Sequence, residues 1–432
     1  MNSSLRIRFA VPVWVLVLSV MLALACASSS TDLVPDQQAE PVEKKQGEQE
    51  NTESESAAPT SVLSSKQEPQ LDAAELSVGG KVGDVAPDFV GITNWINSEP
   101  LSIKDLRGKV VLVDVWTYTC VNCIRTFPFL KDWHAKYADY GLLIVGLHAP
   151  EFEFEKETEN VAQASADNGI VWPVAQDNDM QTWSAYENRF WPAKYLVDQD
   201  GLVRYTHFGE GSYGETEKII RELLLEAGAD LSDDIFVVPA DQARDKTFND
   251  LLKSDPIGVE ITPELYAGYY RNYSAVQFGS EPYVVQTEYY KDRDSVASFT
   301  APEELIPHKV YFNGDWLVES ERAQHGRVTE NYEDSVAIKY SAKSVNAVIT
   351  SDSGEPYRVR ITMDGDYLTD ENKGADVMIA ADGESYILVT EPRLYGIVDN
   401  PGYVQGKELR ISPNSADFRL FAYTFGVYEE GP

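Results

Sequence analysis

The sequence predicts an α/β domain followed by an all-β domain, and two observations carry that reading. Up to about Ala227, apolar β-branched runs such as Val110–Trp116 alternate with helix-prone stretches, the pattern of strand–helix–strand units. From Thr262 the composition changes. There lie 17 of the 24 Tyr but only one of the 8 Trp, Trp316, and alternating apolar–polar runs are separated by Asn-Gly and Asp-Gly pairs. A third observation sets off what comes before: the first 79 residues hold one apolar run and then an acidic stretch.

A chain of 432 residues is long enough for two or three domains with their own cores. Its net charge of −34 argues against nucleic acid or an anionic membrane surface as a partner. Residues 1–26 read as a targeting segment. Arg6 and Arg8 precede the apolar run Phe9–Ala25, which ends Ala23-Leu24-Ala25-Cys26. This resembles a bacterial lipoprotein signal with Cys26 as the lipidated residue, although Ala23 stands where that family prefers Leu. Cleavage at an A-x-A site or an uncleaved anchor is the alternative. Lipidation would remove the odd cysteine of the three. Residues 27–79 carry 11 acidic and 3 basic residues and no aromatic, so they read as a disordered, self-repelling tether.

The chemistry is concentrated in VVLVDVWTYTCVNCIRTFP, Val110 to Pro128. A buried strand is predicted to end near Trp116, with Cys120 at the start of a helix and Cys123 one turn on. Unpaired N–H groups at a helix start favour Cys120 as the thiolate, the form that attacks disulfides, and Cys123 can then resolve the adduct. Half of a zinc site is the rival reading of CxxC. It needs two more Cys or His, and the His are scattered singly at 134, 148, 207, 308 and 325.

These residues resemble the thioredoxin superfamily. Asp114 stands six positions before the first Cys, Trp116 follows two later, and Pro128 stands five after the second Cys. Thr119 departs from the family, which usually has Trp there. The words WTYTCVNCIRTFP, HAPEFEFE and FWPAKYLVDQDG look most like the extracytoplasmic TlpA/ResA branch and the soluble C-terminal part of DipZ-type proteins. The resemblance covers about residues 80–227 and implies a thioredoxin-like fold opened by Gly83–Phe89. Strands follow at Leu142–Leu147 and Val171–Ala175, with helical stretches at Glu153–Asn168 and Asp179–Asn188. A hairpin of Ala193–Asp198 with Leu202–Phe208 and a closing helix Glu215–Ala227 complete it. The resemblance makes Trp191-Pro192 the family's cis-proline, and gives substrate-positioning roles to Trp191, Pro192, Trp116 and Thr119. Asp114, an acid inside an apolar strand, is expected to move a proton to or from Cys123, with a structural acid as the alternative. His148 and Glu151 either shape a substrate groove or lie in a solvated loop. A peroxidase would need Pro where Val113 stands, although Thr117 is in place.

Residues 228–261 read as a linker with a helical patch at Asp241–Leu252. Strands are expected at Tyr283–Tyr290, Val336–Tyr340, Val345–Ile349, Tyr357–Ile361, Tyr386–Val389 and Phe418–Phe425. Turns are expected at Asn313-Gly314, Asp364-Gly365 and Asp382-Gly383. The 262–432 segment thus predicts an antiparallel, jelly-roll-like β-sandwich. Thr262-Pro263-Glu264, Tyr266-Ala267-Gly268-Tyr269 and Phe421–Gly426 resemble the carbohydrate-binding-module-like tail of DipZ-type proteins. A glycan is a candidate ligand on that resemblance, whereas Tyr at period two also suits a core.

The expected protein is an exported, lipid-anchored thiol–disulfide oxidoreductase of the periplasm or cell envelope. The resemblance implies reduction of disulfides in exported proteins, with electrons from a CcdA/DipZ-type membrane donor and no organic cofactor or metal. CxxC proteins span about −270 to −120 mV, so oxidase or isomerase action is the alternative in direction. A redox-switched binding module is the alternative in class.

Overall fold

Seven consecutive residues, Val110–Trp116, are all buried, which a strand achieves at the centre of a sheet covered on both faces. The computed structural model describes residues 77–231, 260–272, 279 and 281–427. The targeting segment with Cys26, the tether before residue 77 and the patch at Asp241–Leu252 lie outside them. The strands of the first domain are β1 (Asn94–Ile96), β2 (Val110–Trp116), β3 (Leu142–His148), β4 (Val174–Gln176), β5 (Ala193–Val197) and β6 (Val203–Phe208). They form one sheet in the order β1-β4-β3-β2-β5-β6. The β2, β3 and β4 strands run parallel, and β1, β5 and β6 join antiparallel to their neighbours. The helices are α1 (Val121–Tyr137), α2 (Thr158–Asp167), α3 (Gln181–Ala185) and α4 (Tyr213–Glu226).

Period two splits β2 between two cores. Val110, Leu112 and Trp116 pack with Cys123, Leu130 and Trp133 of α1 and Ile220 of α4. Val111, Val113 and Val115 pack on the other face with Tyr186 and Tyr195. Asp114 therefore lies on the α1 face, and Lys194, two before Leu196 on β5, lies there too. The expected helix at Glu153–Asn168 breaks at Glu157, which is extended, leaving a 3₁₀ turn at Glu153–Lys156 and then α2. The expected strand at Val171–Ala175 starts only at Val174, after Pro173, which has no N–H to give a ladder.

The second domain is all-β and antiparallel, with eleven strands in one hydrogen-bonded sheet among the described residues. The two strands expected at Val336–Tyr340 and Val345–Ile349 are one, Ser335–Thr350. It bulges between Tyr340 and Ser344. Its first half pairs with Val310–Val318, its second with Arg419–Gly426, and its length with Arg393–Pro413 on the other side. A bent strand that changes partner is how a continuous sheet folds over its own core. Two expectations fail. Tyr283–Tyr290 is not a strand: Gln286 bonds both the N–H and the C=O of Phe312 with its side chain, and Thr287–Lys291 coils into a helix. Asn313-Gly314 is not a turn but lies within Val310–Val318. Asp364-Gly365 and Asp382-Gly383 do turn the chain, with Gly365 and Gly383 both at positive φ.

Both domains belong to one compact unit. Phe152 of the first domain packs with Tyr266, Val348, Phe421 and Ala422 of the second. The Phe152 and Phe421 ring centroids are 5.0 Å apart, and Phe154 lies 4.7 Å from Phe421.

Candidate active site

Polar residues after β2 release the chain, and Cys120 becomes the N-cap of α1. Its extended backbone lets its sulfur accept the Cys123 N–H at 3.3 Å, and its carbonyl accepts the N–H groups of Cys123 and Ile124. A sulfur at a helix N-cap faces the N–H groups of the first turn. Both cysteines are free thiols; Cys120 is partly exposed and Cys123 is buried. Burial, then the neighbouring Cys120, pushes the Cys123 thiol well above its ordinary value, and the Asp114 charge adds to this.

Asp114 is 1% exposed, and desolvation raises its carboxyl to about 6. The opposing influence is Lys194, fully buried and directly across the ladder on β5. Lys194 Nζ lies 3.7 Å from Asp114 Oδ1, too far for a hydrogen bond, and neither atom has another hydrogen-bond partner. Beside Cys123 there is thus a buried ion pair, of which sequence reasoning found only one half.

A second buried acid, also missed, holds the turn before Cys120. Glu155 accepts the Thr119 hydroxyl at 2.6 Å on Oε1, and the N–H groups of Glu151 and Phe152 on Oε2. Burial raises it to about 7 despite those donors. Thr119 is therefore buried and engaged. Trp116 is buried as well, edge-on to Phe127 and His148, and neither residue lines the cleft beside Cys120. Of the two residues proposed to shape a groove, only Glu151 does. His148 is fully buried, and desolvation lowers it to about 3.

The cleft beside Cys120 has a volume of about 510 Å³, within the usual range for ligand sites. The first domain lines it with Arg125, Glu151, Phe190 and Trp191, the second with Glu264 and Tyr266. Trp191-Pro192 is a cis peptide, and the Trp191 indole donates to Ala149 O at 2.9 Å. Phe190 and Phe208 are exposed, their ring centroids 5.7 Å apart. Gly426 lets the two domains approach here, because a Cβ at that position would lie 2.5 Å from the Arg125 guanidinium. In the second domain Trp316 is fully buried, so it offers no sugar-stacking face.

The fold and the CxxC at the start of α1 define a thioredoxin-like protein with an all-β second domain. Family models match in the same two places: AhpC/TSA family over residues 82–206, and thioredoxin like C-terminal domain over residues 262–426. Protein DipZ of Mycobacterium bovis is 33% identical over 346 residues, 79% of this chain and 43% of its own length. The chain thus spans less than half of that relative. Thiol-disulfide oxidoreductase YkuV of Bacillus subtilis is 27% identical over 146 residues, 34% of this chain and 98% of that protein. Thiol-disulfide oxidoreductase ResA of Bacillus thuringiensis is 27% identical over 33% of this chain and 79% of its own. Among solved structures, a putative thiol:disulfide interchange protein DsbE from Chlorobium tepidum is 26% identical. It covers 34% of this chain and 97% of its own, at a TM-score of 0.29.

Proposed function

We propose that this protein is a thiol–disulfide oxidoreductase that reduces substrate disulfides through Cys120 and Cys123. The observation that carries the reading is the exposed-to-buried order of the two thiols over the Asp114–Lys194 pair. Cys120 attacks one sulfur of the substrate disulfide as a thiolate, and the other sulfur leaves with the electron pair. Cys123 then loses its proton to Asp114 and attacks Cys120, which releases the second substrate thiol and leaves a Cys120–Cys123 disulfide. Trp191 and Pro192, beside the cleft, position the substrate.

The reading extends to the setting. The apolar run ending at Cys26 supports export and a lipid anchor. No described helix is long and apolar enough to cross a membrane. Similarity to DipZ supports electrons arriving from a membrane donor of CcdA/DipZ type, with exported disulfide proteins as substrates. Reduction of insulin or of a disulfide peptide by dithiothreitol tests the activity: turnover that persists in Cys120→Ser, or is absent in wild type, sinks it.

A further inference from the structure

The cleft that Cys120 opens into contains a proton that the dithiol cycle has not used. Tyr266 Oη lies 2.9 Å from Glu151 Oε1 and 2.7 Å from Glu264 Oε2. A phenol has one proton to donate, so it serves one of these carboxyls and the other must bring its own. Burial raises Glu151, but Arg271, 2.6 Å from that same Glu151 oxygen, opposes this and makes Glu151 the readier of the two to ionise. Glu264 is then the carboxylic acid: it donates to Tyr266, and Tyr266 donates to Glu151. The charged and titratable groups facing Glu264 are Glu151, Tyr266, Arg271 and Tyr283. Packed protein and then the Glu151 charge push Glu264 up, to about 8. Glu264 is exposed to solvent in the cleft, so the Glu151 charge beside it, more than burial, is what holds it up.

We propose that Glu264, supplied by the second domain, is the general acid that protonates the leaving sulfur when Cys120 opens a disulfide. This rests on the dithiol reading above. The Cys120–sulfur bond forms as the substrate S–S bond breaks, and the departing sulfur carries away the electron pair. That thiolate takes the Glu264 proton and leaves as a neutral thiol. The new Glu264 carboxylate regains a proton from water along its exposed edge, so no further oxidant or reductant is needed. The substrate class this favours is alkyl disulfides such as cystine in peptides. Their thiols have pKa values near about 8.5 and leave poorly as anions, whereas aryl thiolates leave unaided.

The test compares two disulfides in single turnovers of the reduced full chain carrying Cys123→Ser, which isolates the first step. Glu264→Gln slows adduct formation with a cystine-containing peptide on the order of 100-fold. Adduct formation with 5,5′-dithiobis(2-nitrobenzoate) stays unchanged, which also shows Cys120 and the fold intact. Equal slowing of both in a variant that melts like its parent overturns the proposal, as does no slowing of either. If Glu264→Gln does not melt cooperatively, the parent's pH profile decides. The ratio of alkyl to aryl rates falls as pH rises through about 8 if Glu264 is the donor, and a flat ratio refutes it. A wild-type protein that opens neither disulfide fails at the dithiol reading instead.

Discussion

Replacing Lys194 by Met is expected to disable the resolving step at neutral pH while leaving the first attack intact. Lys194 is fully buried and its Nζ lies 3.7 Å from Asp114 Oδ1. At an effective dielectric of about 20, opposite charges at that distance attract by about 4 kcal/mol, or about three pKa units. Asp114 already stands at about 6 because burial outweighs Lys194. Without the cation it rises towards ~9 as an upper bound, since desolvation is left unopposed. At pH 7 the ionised fraction of Asp114 then drops from about nine-tenths to about one-hundredth. Cys123 loses its proton acceptor, and resolution slows on the order of 100-fold.

Rapid-quench mass spectrometry with a disulfide peptide reads the effect directly. Mixed disulfide on Cys120 accumulates in Lys194→Met at pH 7 and forms at the wild-type rate. Resolution recovers as the pH is raised towards 9, because the shifted acid ionises there. In wild type, resolution rises with pH through about 6, the Asp114 value, and then levels. Wild-type resolution by Lys194→Met at pH 7 would refute the reasoning. So would a defect that higher pH does not relieve, because a lost structural lysine gives no such recovery.

Three further outcomes are expected. Asp114→Leu/Lys194→Met replaces a buried ion pair by apolar side chains, so at pH 8 it should be more stable than wild type by about 1–4 kcal/mol in urea unfolding. Asp114 is raised above its unfolded value of about 3.9, so its ionisation costs stability as pH climbs from about 4 through 6, and the variant's advantage should vanish below pH 4. Phe421→Ala should cost about 3–5 kcal/mol and loosen both domains in hydrogen exchange, since Phe421 packs on Phe152 and Phe154; an effect confined to the second domain would show that the shared cluster carries no coupling. Intact mass of the native protein should give an N-terminus at acylated Cys26, and an unmodified start would remove the anchor.

Much of the first domain was legible because its signals are local. The Val110–Trp116 run, the CxxC after it and the hairpin around Gly201 are each specified within a few residues. The second domain was legible in class but not in detail. Arg393–Pro413, its longest strand, was not anticipated, because Gly396, Pro401-Gly402 and Gly406 interrupt the alternation that marks a strand, and it proves to be bulged. The independent domains expected from the composition change also share an apolar cluster, and no local pattern announces a Phe in one domain that packs on a Phe in another.

The site residues that escaped sequence reasoning are those whose meaning depends on pairing. Lys194 in Ala-Lys-Tyr-Leu-Val reads as the polar member of an ordinary alternation. Only the register that sets it opposite Asp114, on a sheet covered by α1 and α4, turns it into a buried cation. Glu155 was one of several acids in an acidic stretch until four donors converged on it from Thr119, Glu151 and Phe152. Glu264 belonged to a motif whose place in the cleft was invisible, because the cleft exists only once the second domain docks beside Cys120. A charge at a buried site is costly alone and useful in company, so its role is fixed by what tertiary structure brings to it. The roles proposed for Asp114 and Glu264 follow from that: crowding raises both acids, leaving Asp114 ionised at pH 7 to accept a proton and Glu264 placed to give one, each towards a different sulfur of the same exchange.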